Sequence, residues 1–346
     1  MAEATLPGLE TVEAPALPQS ERTPWIERGP QKRLMLFAGR SNPQLAEGIA
    51  EKLGIMLGEV ELRTFANGET YVRYDESIRG SDVFIVQSGN APVNDHLVEL
   101  LIMIQAAKLA SAKRITAVIP WFAYSRQDKK SAPREPITAK LVADALEVAG
   151  VDRVVTMDLH AGQIQGFFTV PVDHMTALMM LTQYFLDLGL TDLVVVSPDA
   201  GRVKLNKKFA SKVGAELAIL DKERPAQQVA EIGYVIGDVR GKTAVIVDDI
   251  IDTAGTLKAA GQTVLDEGAA RVYAAATHPV FSGAAYENLA GAGFEQIVVT
   301  DTIPLRPGAP DNIRVLSCAE LLTDSIRRIF TDDSVSEVFD GENQLF

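Results

Sequence analysis

The stretch Val245-Ile-Val-Asp-Asp-Ile-Ile-Asp-Thr-Ala-Gly-Thr256 decides how this chain folds. Val245 to Val247 form a continuous apolar run, the pattern of a strand buried on both faces of a parallel sheet. The run ends at Asp248 and Asp249. Ligands of open α/β sheets bind beyond the carboxyl ends of strands, where these two carboxylates stand. Small residues follow, and a helical stretch opens at Thr256. Small side chains let backbone amides approach a ligand, and a helix N-terminus offers unpaired N–H groups and partial positive charge. The segment therefore reads as an anion site, with Thr253 and Thr256 adding hydroxyl donors. An ordinary strand–turn–helix capped by Asp252 or Thr253 accounts for one of these residues. It does not account for two adjacent carboxylates, whose repulsion costs stability unless something binds there.

Around this stretch the same rhythm repeats. Leu34–Ala38, Val83–Gln87, Ile115–Ile119 and Val154–Met157 read as buried strands, with helices over Pro43–Leu53, Asn94–Ala110 and Thr138–Ala149. A second round places strands at Leu193–Val196, Ala215–Leu220, Thr243–Val247, Val272–Thr277 and Gln296–Val299. Its helices are Val203–Val213, Thr256–Glu267 and Ala284–Ala290. Alternating strands and helices imply parallel sheets covered on both faces. The expected organisation is an α/β fold of two similar halves, 31–176 and 177–346, joined near Pro171–Ala177. Before them, residues 1–30 are interrupted by Pro7, Pro15, Pro18, Pro24 and Pro30 and read as a flexible leader.

Composition excludes several classes. A chain of 346 residues that is 47% hydrophobic can bury a sizeable core. The formal net charge of −13 argues against broad nucleic-acid binding. It does not exclude a phosphorylated substrate, which arrives with a metal ion and meets a few local cations. The single Cys318 rules out an internal disulfide framework. No apolar run is long enough to span a membrane and no signal pattern is present, so a cytoplasmic protein is expected.

Four further segments carry chemistry. Arg63-Thr-Phe-Ala-Asn-Gly-Glu69 contains a turn signal and by itself reads as a surface hairpin. Trp121-Phe-Ala-Tyr-Ser-Arg-Gln-Asp-Lys-Lys130 puts aromatic residues before Arg126, Lys129 and Lys130, a combination that suits a base and a polyphosphate together. Thr156-Met-Asp-Leu-His160 holds one of only four histidines. Ser197-Pro-Asp-Ala-Gly201 again lies at a strand end, with Asp199 able to face a metal.

The stretch from Val245 resembles the ribose-phosphate signature shared by type I phosphoribosyltransferases and ribose-phosphate diphosphokinases. With the four other segments, and with Ser77–Gly80, Arg134–Lys140, Lys222–Arg224 and Thr277-His278, the chain from about Leu34 to Phe339 resembles the diphosphokinase family. The resemblance implies transfer of the diphosphoryl group of ATP to ribose 5-phosphate, with Mg²⁺, in a homo-oligomer that is usually a hexamer. It implies that Phe65, Asn67, Gly68 and Glu69 contact the adenine of a neighbouring subunit's ATP, and that Arg126 and Gln127 bind ATP. His160 and Asp199 match the metal-site residues. Asp248, Asp249, Asp252, Thr253, Ala254, Gly255 and Thr256 match the ribose 5-phosphate site, and Arg79 and Arg134 are candidates for an effector site.

Lys222 and Arg224 match two catalytic cations of a mobile loop, Arg224 also touching ribose 5-phosphate. Alone they read as a solvated charged loop, but the following Pro225-Ala-Gln-Gln-Val-Ala-Glu231 is small and polar, as a lid requires. Two positions depart from the family pattern. Arg202 stands where many relatives carry glycine, a change expected to bear on effector response, and Asn67 stands where many carry aspartate. A phosphoribosyltransferase, a non-catalytic relative and a DNA-binding regulator are the rival readings. The first needs an acceptor base, the second loses catalytic residues, and the third needs a basic recognition segment.

Overall fold

The computed structural model describes residues 32–226 and 229–336, without the side chains of residues 222–233. The leader, and Gln227 and Gln228 of the expected lid, lie outside the described residues. From Arg33 onward the described residues form one compact unit.

In chain order the first part comprises β1 (Leu34–Ala38), α1 (Pro43–Leu53), β2 (Val60–Thr64), β3 (Thr70–Tyr74), β4 (Asp82–Val86), α2 (Val93–Leu109), β5 (Arg114–Ile119), α3 (Thr138–Ala149), β6 (Arg153–Met157) and β7 (Val172–Met175). The second comprises α4 (Leu178–Asp187), β8 (Leu193–Ser197), α5 (Val203–Val213), β9 (Glu216–Ala226), β10 (Val229–Ile236), β11 (Thr243–Ile251), α6 (Gly255–Asp266), β12 (Arg271–Pro279), α7 (Ala285–Ala290), β13 (Gln296–Thr300), β14 (Ile313–Leu316) and α8 (Ala319–Thr331).

Local chemistry sets the element ends. Asn42 caps α1 by accepting from the Leu45 amide at 3.3 Å, and Pro43 opens the helix. Gly54, at φ +72°, closes it in the left-handed conformation that glycine adopts without strain.

β1, β4, β5, β6 and β7 form a five-stranded parallel sheet in that order. β2 and β3 stand apart as an antiparallel hairpin. The second sheet runs β10-β9-β8-β11-β12-β13-β14, parallel except for β10. The alternation of side chains along the strands explains the continuous apolar runs. Val194, Val196, Ala244 and Ile246 pack on the face covered by α6 and α7, while Val195, Val245 and Val247 turn the other way. Leu36, Val86, Val155 and Met157 of the first sheet share that second core, together with α1, α4, α5 and α8. The two sheets are thus built around one common core, which is why they belong to a single unit.

The structure differs from the sequence expectation at β9. The strand does not stop at Leu220 but continues to Ala226 and pairs with β10, with bulges between Val229 and Glu231 and between Ile232 and Tyr234. Backbone pairing, which no side-chain pattern reports, makes a hairpin of the segment expected to be a loop.

Candidate active site

Strand order reverses between β8 and β11, since the chain leaves β8 toward β9 on one side and β11 toward β12 on the other. Such a switch point opens a crevice at the strands' carboxyl ends. Here the crevice is visible in the register. β8 pairs with β11 only as far as Ile246, whereas β12 follows β11 to Ile251. The edge of β11 beyond Ile246 is left free on the β8 side, and Asp248 and Asp249 stand on it.

A cavity of about 230 Å³ fills this crevice. His160, Asp199, Asp248, Asp249, Asp252 and Thr253 line it, as do Ala254, Thr256, Arg126 and Arg202. Residues from beyond the end of β6, beyond the end of β8 and from the carboxyl end of β11 converge there. Ala254 adopts the left-handed conformation (φ +61°) and caps α6 without any side-chain hydrogen bond. Neither Asp252 nor Thr253 caps the helix, so its first amides keep their capacity for an anion. Asp252 is held instead by Arg126, whose Nη1 donates to Oδ2 at 2.6 Å, and by the Ser282 hydroxyl. The Asn288 amide donates to the Thr253 carbonyl at 2.9 Å.

The two adjacent carboxylates differ. Burial drives the Asp248 carboxyl well above the usual range, and the negative charge of Asp249 adds to it. Burial acts on Asp249 in the same sense but is outweighed by the His160 hydrogen bond, the Arg202 guanidinium and the Asp248 carboxyl, which bring it down to about 2. The pair titrates as a unit, with its first charge on Asp249. Asp199 accepts from the Arg202 amide at 3.1 Å, and His160 Nδ1 lies 2.8 Å from Asp249 Oδ2.

The loop carrying His160 is fixed from beneath. The buried Asp158 accepts from the Ala177 amide at 2.8 Å and the Thr277 hydroxyl at 2.6 Å. His278 Nε2 lies 3.1 Å from the Met157 carbonyl and 3.2 Å from that of Asp158. Burial lowers the His278 pKa, which keeps the ring in the neutral form that donates through one nitrogen and accepts through the other. β12 thereby anchors the end of β6, and one sheet holds the loop that reaches into the crevice of the other.

Residues 34–150 match the N-terminal domain of ribose phosphate pyrophosphokinase, and residues 197–340 match the phosphoribosyl synthetase-associated domain. The chain is 54% identical over 308 residues to a ribose-phosphate pyrophosphokinase of Caldanaerobacter subterraneus subsp. tengcongensis, covering 88% of this chain and 98% of that one. The chain belongs to the ribose-phosphate pyrophosphokinase family. The Corynebacterium ammoniagenes member is 48% identical over 307 residues, 88% of this chain and 97% of its own. The crystal structure of phosphoribosylpyrophosphate synthetase from Mycobacterium smegmatis superposes with a TM-score of 0.83 at 48% identity, covering 87% of this chain and all of that one. As a pyrophosphokinase the chain is an enzyme, and its α/β fold with parallel sheets is that of its family.

Several expected residues of this pyrophosphokinase stand outside the cavity. Arg126 also lines a neighbouring hollow of about 690 Å³, with Trp121, Tyr124, Gln127 and Asn94. Gln127 is tied to the start of α3, its side chain accepting from the Thr138 hydroxyl at 2.6 Å. Phe65, Asn67, Gly68 and Glu69 occupy the tip of the β2–β3 hairpin, away from both hollows. Phe65 is 45% exposed and packs edge-on to Tyr71, under the Arg63 guanidinium. Gly68, at φ +93°, makes the turn, and the Asn67 side chain accepts from the Glu69 amide at 3.2 Å. Arg79 and Arg134 are both exposed. Lys222 and Arg224 lie on β9, with side chains outside the described residues. Arg202 was not expected in the cavity, yet its guanidinium sits at the centre of the acidic cluster. Its spacing of three residues from Asp199, one turn of the short helix Ala200–Arg202, is the signal in the sequence that points there.

Proposed function

We propose that the enzyme transfers the β,γ-diphosphoryl group of ATP to the 1-hydroxyl of ribose 5-phosphate, giving phosphoribosyl diphosphate and AMP. The observation that carries this reading is a single cavity lined by both the uncapped start of α6 and the Asp248–Asp249 pair, and bordered by Arg126, which faces the second hollow as well. The α6 amides, Thr253 and Thr256 hold the 5-phosphate. Asp248 and Asp249 accept from the ribose hydroxyls. The nucleotide occupies the larger hollow against Trp121 and Tyr124, with its phosphates directed by Arg126 toward the sugar. The 1-hydroxyl oxygen bonds to the β-phosphorus as the bond from that phosphorus to the α-phosphate oxygen breaks, AMP leaves, and the hydroxyl proton is lost to solvent. Charge builds on the transferring oxygens, so positioning and cations do most of the work. We assign the ribose loop to the half 177–346 and most of the nucleotide contacts to 31–176.

His160 and Asp199 are the residues that would hold Mg²⁺. The donor set fits. Mg²⁺ keeps several waters and takes few protein ligands beside substrate phosphates, and imidazole and carboxylate groups face one small cavity here. When bound, the ion supplies neutralisation of phosphate charge. The exposed tip at Phe65 supports a homo-oligomer, a hexamer, in which the hairpin reaches a neighbour's nucleotide. We keep Arg79 and Arg134 as the effector site for phosphate or ADP. Among the described residues no helix is long and apolar enough to cross a membrane, and we place the enzyme in the cytoplasm.

The purified enzyme given only ATP, ribose 5-phosphate and Mg²⁺ is expected to form AMP and phosphoribosyl diphosphate in equal amounts. Absence of AMP without an added base acceptor favours a phosphoribosyltransferase instead. Gly89→Ala tests the nucleotide hollow. An added methyl would lie 2.7 Å from the Ala123 amide nitrogen and 2.9 Å from the Trp121 carbonyl, so the Trp121–Gln127 loop must shift. The KM for ATP is expected to rise about tenfold, equivalent to roughly 1.4 kcal/mol, while that for ribose 5-phosphate changes little. An unchanged KM for ATP moves the nucleotide elsewhere.

A further inference from the structure

Arg202 occupies the place where the metal reading puts a cation. Its side chain is only 14% exposed. Nη2 ion-pairs with Asp249 and lies 2.7 Å from His160 Nδ1 and 3.4 Å from the His160 carbonyl. Nε lies 3.6 Å from Asp248 Oδ1. One guanidinium thus engages both carboxylates of the pair and the imidazole, while its own backbone amide is bonded to Asp199. Four of the five acidic or imidazole groups that line the crevice are touched by this single residue, the exception being Asp252.

A guanidinium cannot retire by losing a proton. Two cations a few ångströms apart beside the buried Asp249 repel each other. A divalent ion that takes up the same groups therefore has to displace the Arg202 side chain. Room for it exists. Arg202 and Asp249 also border a neighbouring cavity of about 350 Å³, with Asp158, Gly201 and Lys204 on its other walls. The long side chain springs from the start of α5 and needs only rotation about its own bonds to change cavities.

We propose that Arg202 is an internal counter-cation that pairs with Asp249, holds His160 in the metal-free enzyme and competes with the divalent ion for that imidazole. It neutralises the acidic cluster while no ion is bound, and it sets the metal affinity by the free energy needed to move it. This inference rests on the metal reading given above.

The test measures Mn²⁺ binding directly, from the electron paramagnetic resonance signal of free Mn²⁺, for the full enzyme with and without ribose 5-phosphate. Arg202→Met is expected to bind Mn²⁺ about tenfold more tightly than the unsubstituted enzyme, a shift of roughly 1.4 kcal/mol. Arg202→Lys keeps the charge but not the two-pronged reach, and is expected to fall between them. The Mg²⁺ concentration giving half-maximal turnover should fall in the same order. Equal or weaker Mn²⁺ binding in Arg202→Met overturns the competition and makes Arg202 a support for the ligands instead. If a thermal melt shows Arg202→Met to be unfolded, affinity in Arg202→Lys no higher than in the unsubstituted enzyme overturns it as well. Absence of Mn²⁺ binding from every form overturns the metal reading itself, and the competition with it.

Discussion

Phe185→Ala is expected to lower the unfolding free energy by about 3–5 kcal/mol, the range for deleting a fully buried aromatic ring. Phe185 has no exposed surface. Its ring centroid is 5.9 Å from that of Phe209 on α5 and 6.1 Å from that of Tyr273 on β12, both in edge-to-face contact. It projects from α4 into the core that both sheets share. Three different elements wall the space, so no single one can collapse into it, and the cavity term adds to the lost transfer free energy. The prediction is checked by urea unfolding at fixed protein concentration, with the midpoint falling and the slope unchanged. A loss under about 1 kcal/mol means that the ring is not a keystone of a common core. Separate transitions for the two halves after the substitution would show that the core shared through α4 is what makes them one unit.

The sequence shows the sheets well because parallel strands buried on both faces are written as unbroken apolar runs. β1 and β13 are legible for that reason, β11 only as far as Val247, since pairing with β12 carries it on through Asp248 and Asp249 to Ile251, and α1, α3 and α5 are legible to the residue because apolar periodicity and terminal glycines agree. β7 and β14 are four residues each, too short for any period to stand out. α4 and α8 carry helical periodicity, but they fall outside the strand–helix alternation on which the reading rests. Their burial comes from the space between the sheets, which only the assembled fold defines. The same distinction holds for the site. Asp248 to Thr256 is contiguous, so its chemistry is visible as a string. The meeting of His160 with Asp249 and Arg202 joins residues 42 and 89 positions apart, and no local pattern encodes it.

Lys222→Ala is expected to cut kcat by about 10³-fold, in the range found for removing a cation or donor aimed at transition-state charge, with thermal unfolding unchanged. β9 runs parallel to β8, and their register places Ile219 beside Ser197, the last residue of β8. β9 then continues to Ala226 while the chain after Ser197 turns away to Asp199. Lys222 therefore follows by about 10 Å along the strand, at roughly 3.3 Å per residue, beyond the carboxyl end where the cavity opens. Arg224 follows two residues later. That stretch reaches past the last residue of β8 and pairs with β10, and we propose that it closes over the cavity. A group whose contact forms only as charge develops lowers kcat without raising KM when lost. The KM for ribose 5-phosphate should thus stay within about threefold in Lys222→Ala. Arg224→Ala, at a residue also matched to the sugar phosphate, should raise it further. Turnover of Lys222→Ala within tenfold of normal would remove β9 from the chemistry and leave the hairpin a structural edge.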